Sequence, residues 1–120
     1  MALQKGFPRL ERLLQSQDYV SVFTATQCKS SDAYWTVLAK SNHRQYPRLG
    51  LAITKKKIPH ASDRNRMKRI VRESFRHHKE YVMGLDIVVL CQNRAAAMTN
   101  DVLFNSLHNH WLKLAQRCKS

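Results

Sequence analysis

The chain has 120 residues, 43% of them hydrophobic, with only three glycines and three prolines; this excludes a disordered or low-complexity chain and predicts one domain over residues 1–120 with a core of its own. Its 21 lysines and arginines stand against 8 acids, a formal net charge of +13, and self-repulsion of that size points to a polyanionic partner, either nucleic acid or an anionic membrane surface. No window approaches the roughly 20 apolar residues of a spanning helix, the longest clean apolar run being residues 87–91.

Residues 8–15 carry Leu10, Leu13 and Leu14 at i, i+3, i+4 behind Pro8, the spacing of a short helix. Residues 19–26 are rich in β-branched and aromatic side chains and predict a first strand; residues 34–39 predict a second that forms a hairpin with it. Residues 49–54 predict a third strand, in which Gly50 marks a bulge or a close backbone approach. Beyond Pro59, Ser62 or Asp63 supplies an N-cap for a helix with Met67, Ile70, Val71, Ser74, Phe75 and His78 on one face. Gly84 ends that segment, residues 86–91 predict a fourth strand, and Thr99 caps a last helix that buries Val102, Leu103, Leu107, Trp111 and Leu114. The order α-β-β-β-α-β-α describes an α+β protein, a small two-layer sandwich of one sheet and its helices.

Ten of the 21 basic residues fall within residues 55–79. On a helical wheel at about 100° per residue, Asn65, Lys68, Arg69, Arg72, Arg76 and Lys79 share an arc opposite the apolar one, and that arc contains no acid. Arg64 sits in the first turn, Arg66 flanks the stripe, and Lys55, Lys56 and Lys57 precede the helix. Neighbouring like charges repel, so the stripe calls for an anion. Arginine's planar fork matches phosphate and stacks on bases, which favours nucleic acid over lipid, and the apolar face a membrane helix would need is wanted by the core. Tyr19, Phe23, Tyr34 and Trp35 form a second group; aromatics on a sheet beside a basic helix are a means of holding single-stranded nucleic acid, with core packing as the alternative for Phe23 and for Tyr19.

Signals for catalysis by the chain itself are weak. Asp18, Asp32, Asp63, Asp86 and Asp101 show no spacing that converges on a cation, and His77–His78 and His108/His110 diverge on their helices. Cys28, Cys91 and Cys118 are odd in number, far apart and in no CxxC pair, which predicts three reduced thiols and no zinc site. The first residues offer no apolar stretch for a secretory signal, so a cytoplasmic location is expected.

The segment Arg64-Asn65-Arg66-Met67-Lys68-Arg69-Ile70-Val71-Arg72-Glu73-Ser74-Phe75-Arg76 resembles the RNR signature of the protein subunit of bacterial ribonuclease P. The resemblance extends to Phe7-Pro8-Arg9-Leu10, Asp18-Tyr19 with Val22-Phe23, Arg48-Leu49-Gly50-Leu51, Lys55-Lys56 and Ala61. It implies an α+β sandwich with a left-handed βαβ crossover through the basic helix, and a ribonucleoprotein endonuclease that removes the 5′ leader of precursor tRNA. It further implies that the RNA subunit performs the chemistry with magnesium, which that RNA mainly holds, and that this chain supplies no catalytic residue and no metal ligand. Arg64, Asn65, Arg66, Lys68, Arg69, Arg72 and Arg76, with Lys55 and Lys56, are then expected to meet the catalytic RNA or the leader, and Tyr19 and Phe23 to line a leader cleft. The expected partners are ribonuclease P RNA and precursor tRNA, with neither membrane nor DNA. A self-sufficient nuclease, a DNA-binding regulator and a ribosomal or RNA-chaperone protein are the rival classes, of which the DNA regulator lacks a helix-turn-helix partner beside the stripe.

Overall fold

The computed structural model describes residues 6–119 and has the expected element order, with two elements displaced along the chain. A single 3₁₀ turn, Arg9–Glu11, is followed by extended chain, and the first helix, α1, is Ser16–Thr24. Then come β1 Cys28–Ser31, β2 Trp35–Ser41, β3 Arg48–Ala52, α2 Ala61–His77, β4 Leu85–Cys91 and α3 Asn100–Lys119. The sheet order is β1-β2-β4-β3; β4 is antiparallel to β2 and parallel to β3, so α2 is the crossover between adjacent parallel strands.

The helix expected over residues 8–15 and the strand expected over 19–26 are both corrected. Arg12 bridges to Leu49 and the Leu13 amide donates to the Leu49 carbonyl at 3.0 Å, so this stretch extends the β3 edge instead of coiling. Glu11, nearly buried, meets the buried Lys79 ammonium at 2.5 Å. Residues 19–26 read as a strand because Tyr, Val, Phe and Thr are β-prone, but Tyr19, Val22 and Phe23 also fit i, i+3, i+4. Packing decides between the periods, with Val22 fully buried against Leu13 and Val88 on one face of the sheet. The hairpin partner of β2 is therefore β1, with Lys29 opposite Leu38.

The main core lies on the other face, where α2 and α3 cover Val37, Ala39, Ile87, Val89 and Cys91 with Met67, Ile70, Val71, Phe75, Leu103, Leu107, Trp111 and Leu114. Trp111 donates to Ser74 Oγ at 2.8 Å, joining the two helices. Val102 departs from expectation: it is 38% exposed, one position round from the fully buried Leu103. The α2 cap also differs, since the N-cap is His60 without a side-chain bond. The Arg64 guanidinium donates instead to the Ile58 and Pro59 carbonyls. Thr99 does cap α3, its hydroxyl accepting from the Val102 amide at 3.4 Å. Three reduced thiols were expected, but Cys28 and Cys118 form a disulfide, Cα to Cα 5.8 Å, that ties the end of α3 to the edge strand across a separation of 90 residues. Cys91 is the remaining thiol; burial pushes its pKa up to about 12, against a weaker downward pull from Arg66.

Candidate nucleic-acid interface

Once α2 buries Met67, Ile70, Val71, Ser74 and Phe75, its opposite side must face out. Asn65, Arg69 and Arg72 are exposed there, while Lys68 and Arg76 are half-buried. Asn65, Arg69, Arg72, Glu73 and Arg76 line an open groove of about 360 Å³. The acid-free arc ends at Glu73, whose carboxylate lies 3.2 Å from Arg76 and 3.1 Å from His77, so Arg76 is partly neutralised within the chain. Lys55, Lys56 and Lys57 are all exposed in the turn that precedes the helix.

Three of the basic residues expected on or beside the stripe are turned elsewhere. Arg64 is committed to the loop carbonyls at 58 and 59. The Arg66 guanidinium donates to the Ala96 carbonyl at 3.0 Å, the Met98 carbonyl at 3.2 Å and Asn100 Oδ1 at 2.7 Å, clamping the start of α3 onto α2. Lys79 lies beyond the end of α2, in the 3₁₀ turn Lys79–Tyr81, and is buried against Glu11. A wheel carried through residue 79 could not show that the helix stops at His77.

Tyr19 and Phe23 do share a side, through helical i, i+4 spacing in α1 and not through strand alternation. The Tyr19 ring leans over β3, and its hydroxyl accepts from the Leu51 amide at 3.1 Å. Gly50 permits this, because a Cβ there would sit 2.7 Å from the Tyr19 ring, the close approach its position suggested. Tyr19 lines a cleft of about 260 Å³ together with Phe7, Leu14, Leu51, Lys68 and Arg72. Aromatic and basic groups therefore meet in one concavity between α1, β3 and α2. Phe23, one turn further along, is 46% exposed and is not among the residues lining that cleft. Trp35 is fully buried in the main core with Tyr34 packed against it.

Sequence reasoning missed Arg12, whose guanidinium lies 4.7 Å above the Phe7 ring, donates to the Phe7 carbonyl at 2.8 Å and lines the same cleft. Its only sequence signal is proximity to the Phe7–Leu10 segment. Among the described residues no three His, Cys, Asp or Glu side chains gather to hold a metal ion. Three aspartates are engaged with cations or histidine: Asp86 and Asp18 lie on Arg48, and Asp32 lies on His110.

A basic helix face flanking an aromatic cleft on a mixed sheet defines a nucleic-acid-binding protein of the α+β class. The family model for ribonuclease P matches residues 7–115. The chain is 45% identical over 113 residues to the ribonuclease P protein component of Methylococcus capsulatus, covering 94% of this chain and 88% of that protein. It is 41% identical to that of Vibrio cholerae over 111 residues, covering 92% and 93%. Its fold matches the RNase P proteins of Staphylococcus aureus (TM-score 0.79, 30% identity, 89% of this chain and 96% of the other) and Thermotoga maritima (TM-score 0.76, 30% identity, 86% and 96%). The chain belongs to the ribonuclease P protein family.

Proposed function

We propose that this chain is the protein subunit of a ribonuclease P ribonucleoprotein, an endoribonuclease that removes the 5′ leader of precursor tRNA in the cytoplasm. Its partners are ribonuclease P RNA, met by the open face of α2 and the Lys55–Lys57 turn, and precursor tRNA, whose single-stranded leader enters the cleft at Tyr19. The observation that carries this reading is that Lys68 and Arg72 line the same cleft as Tyr19, so one surface offers phosphate-binding cations and a stacking ring. The chain binds, orients and neutralises charge; bond breaking would fall to the RNA subunit, and magnesium, mainly held there, would supply charge stabilisation.

Reconstitution tests the reading. The protein mixed with ribonuclease P RNA and precursor tRNA at low magnesium should cleave at the leader junction faster than RNA alone, while the protein alone should cleave nothing. Cleavage by the protein without RNA would overturn it.

A further inference from the structure

A second concavity adjoins the Tyr19 cleft. It has a volume of about 350 Å³ and shares Arg12 and Leu14 with the cleft, but it contains no residue of α2. Its cations are Arg9, Arg12, Arg44 and Arg48, and its one acid is Asp18. Arg48 is held by Asp86 at 2.6 Å and is approached by Asp18 at 3.7 Å, so its charge is more than matched by these two carboxylates. Arg9, Arg12 and Arg44 have no ion-pair partner among the described residues and form a rim around a half-buried aromatic ring, Tyr46, so the groove keeps a net positive charge.

The loop that carries Arg44 and Tyr46 is built rather than loose. Asn42 Oδ1 accepts from the Arg44 amide at 2.8 Å, and Asn42 Nδ2 donates to the Tyr46 carbonyl at 3.1 Å and to Asp86 Oδ1 at 3.0 Å. The Asn42 amide donates to the Gly84 carbonyl at 2.9 Å. His43 takes a left-handed backbone, φ 57°, between these anchors. The Arg44 guanidinium then lies 5.9 Å from the Tyr46 ring centroid, with one nitrogen 3.0 Å from the Tyr46 hydroxyl. Its remaining N–H groups and the exposed Arg9 are open to an anion. A fixed arginine beside a fixed ring, next to exposed Leu10 and Leu14, matches the needs of a nucleotide: a cation for the phosphate and an apolar platform for the base.

Resting on the leader reading above, we infer that this groove is a second single-stranded RNA subsite, in which Arg44 and Arg9 hold phosphate and Tyr46 stacks a base of the leader beyond the nucleotides at Tyr19. The strand enters from the α2 side, where the catalytic RNA lies, and Arg12 stands at the passage from cleft to groove. The subsite therefore takes nucleotides farther from the tRNA body.

The test uses the reconstituted RNA–protein particle and precursor tRNAs whose leaders lengthen one nucleotide at a time. With the parent protein, affinity rises with leader length past the cleft and then levels off. Arg44→Gln and Tyr46→Ala are expected to level off earlier, with a loss of about fivefold or more confined to the longer leaders. Tyr46→Phe, which keeps the ring, should retain most of the gain. Melting temperatures near the parent's check that each variant is folded. Parent-like binding by both variants at every length, or an equal loss at every length, overturns the subsite. Tyr19→Ala is measured alongside: weakening of the shortest leaders with parent-like Arg44 and Tyr46 variants overturns the subsite alone, whereas an unchanged Tyr19→Ala overturns the cleft reading together with it.

Discussion

Arg48 and Asp86 stand opposite one another in the parallel register of β3 and β4, joined by two hydrogen bonds of 2.8 and 2.6 Å. The carboxylate is almost fully buried, with its side chain 5% exposed, and it also accepts from Asn42. Its hydrogen bonds raise the Arg48 pKa further above the usual arginine value, despite burial. The pair thus fixes three things at once: the β3–β4 register, the β2–β3 loop, and, through Asp18, the start of α1.

Removing one partner of such a pair leaves a buried charge uncompensated. Asp86→Ala should cost about 3–5 kcal/mol of folding stability, measured by chemical denaturation. Asp86→Asn should be destabilising too, yet in the reconstituted particle at saturating magnesium and substrate it should cleave within a few-fold of the parent rate. A metal ligand or general base would instead lose about 100-fold or more, and such a loss in a folded variant would give Asp86 a part in the chemistry.

Arg66 and Arg72 are six positions apart in one basic helix and should behave oppositely. Arg72 lines both the cleft and the α2 groove. Arg72→Ala should flatten the slope of log affinity for single-stranded RNA against log salt by about 0.7 and leave the melting temperature nearly unchanged. Arg66 is spent on carbonyls at 96 and 98 and on Asn100. Arg66→Ala should lower stability by about 2 kcal/mol and leave the slope alone. Salt titrations and thermal melts of the two variants check both halves.

That contrast marks how far the sequence could be read. The α2 face was legible because a 3.6-residue period separates apolar from charged positions over the whole Ala61–His77 helix. β4 was legible because a strand covered on both faces is apolar almost throughout. What Arg66, Lys79 and Cys118 do was not legible, because each is decided by a group far away in sequence: Ala96 and Met98, Glu11, and Cys28. α1 was misread for a related reason. Its nine residues satisfy both periods, and the contacts that choose the helix come from Leu13 and Val88. Of the cleft, the sequence indicated Tyr19 but paired it with Phe23, which lies outside, and placed Lys68 and Arg72 only on the basic stripe; the geometry that joins them depends on Gly50 letting the ring lie across β3.

Gly50 offers a way to move Tyr19 without mutating it. A methyl group at position 50 would come within 2.7 Å of the Tyr19 ring and 2.8 Å of its hydroxyl. The ring would have to swing aside and release the Leu51 amide. Gly50→Ala should therefore weaken leader binding in the direction of Tyr19→Ala, read by the affinity of the particle for short-leader precursor tRNA. Phe23→Ala, at a half-exposed position outside the cleft, should cost less than about 1 kcal/mol, well short of the 3–5 expected for a core phenylalanine. Parent-like leader binding by Gly50→Ala would show that the ring's position over β3 is immaterial.

The last prediction concerns acid. His110 is buried between β1 and α3, with Nδ1 2.6 Å from Ser30 Oγ and Nε2 3.1 Å from the Asp32 carboxylate. Asp32 also accepts from the Ser106 hydroxyl and from the amides of Tyr34 and Trp35. Burial pushes the His110 pKa below its ordinary 6.5, and the Asp32 carboxylate recovers only part of the shift. Burial alone would raise the Asp32 pKa, but its hydrogen bonds, led by Ser106, more than offset this and hold it below 3.8. Both groups thus bind protons more readily when unfolded, so stability rises with pH wherever they titrate. The His110 contribution is complete above about pH 6.5 and is lost as pH falls through the unfolded and then the folded pKa; the Asp32 contribution is lost only below about pH 4. Thermal melts from pH 7.5 to 5 should show the parent losing stability. His110→Gln, which cannot titrate, should start from a lower melting temperature but fall less over the same interval. An equal fall in both proteins would mean that the buried imidazole does not set the acid sensitivity of the α3 joint.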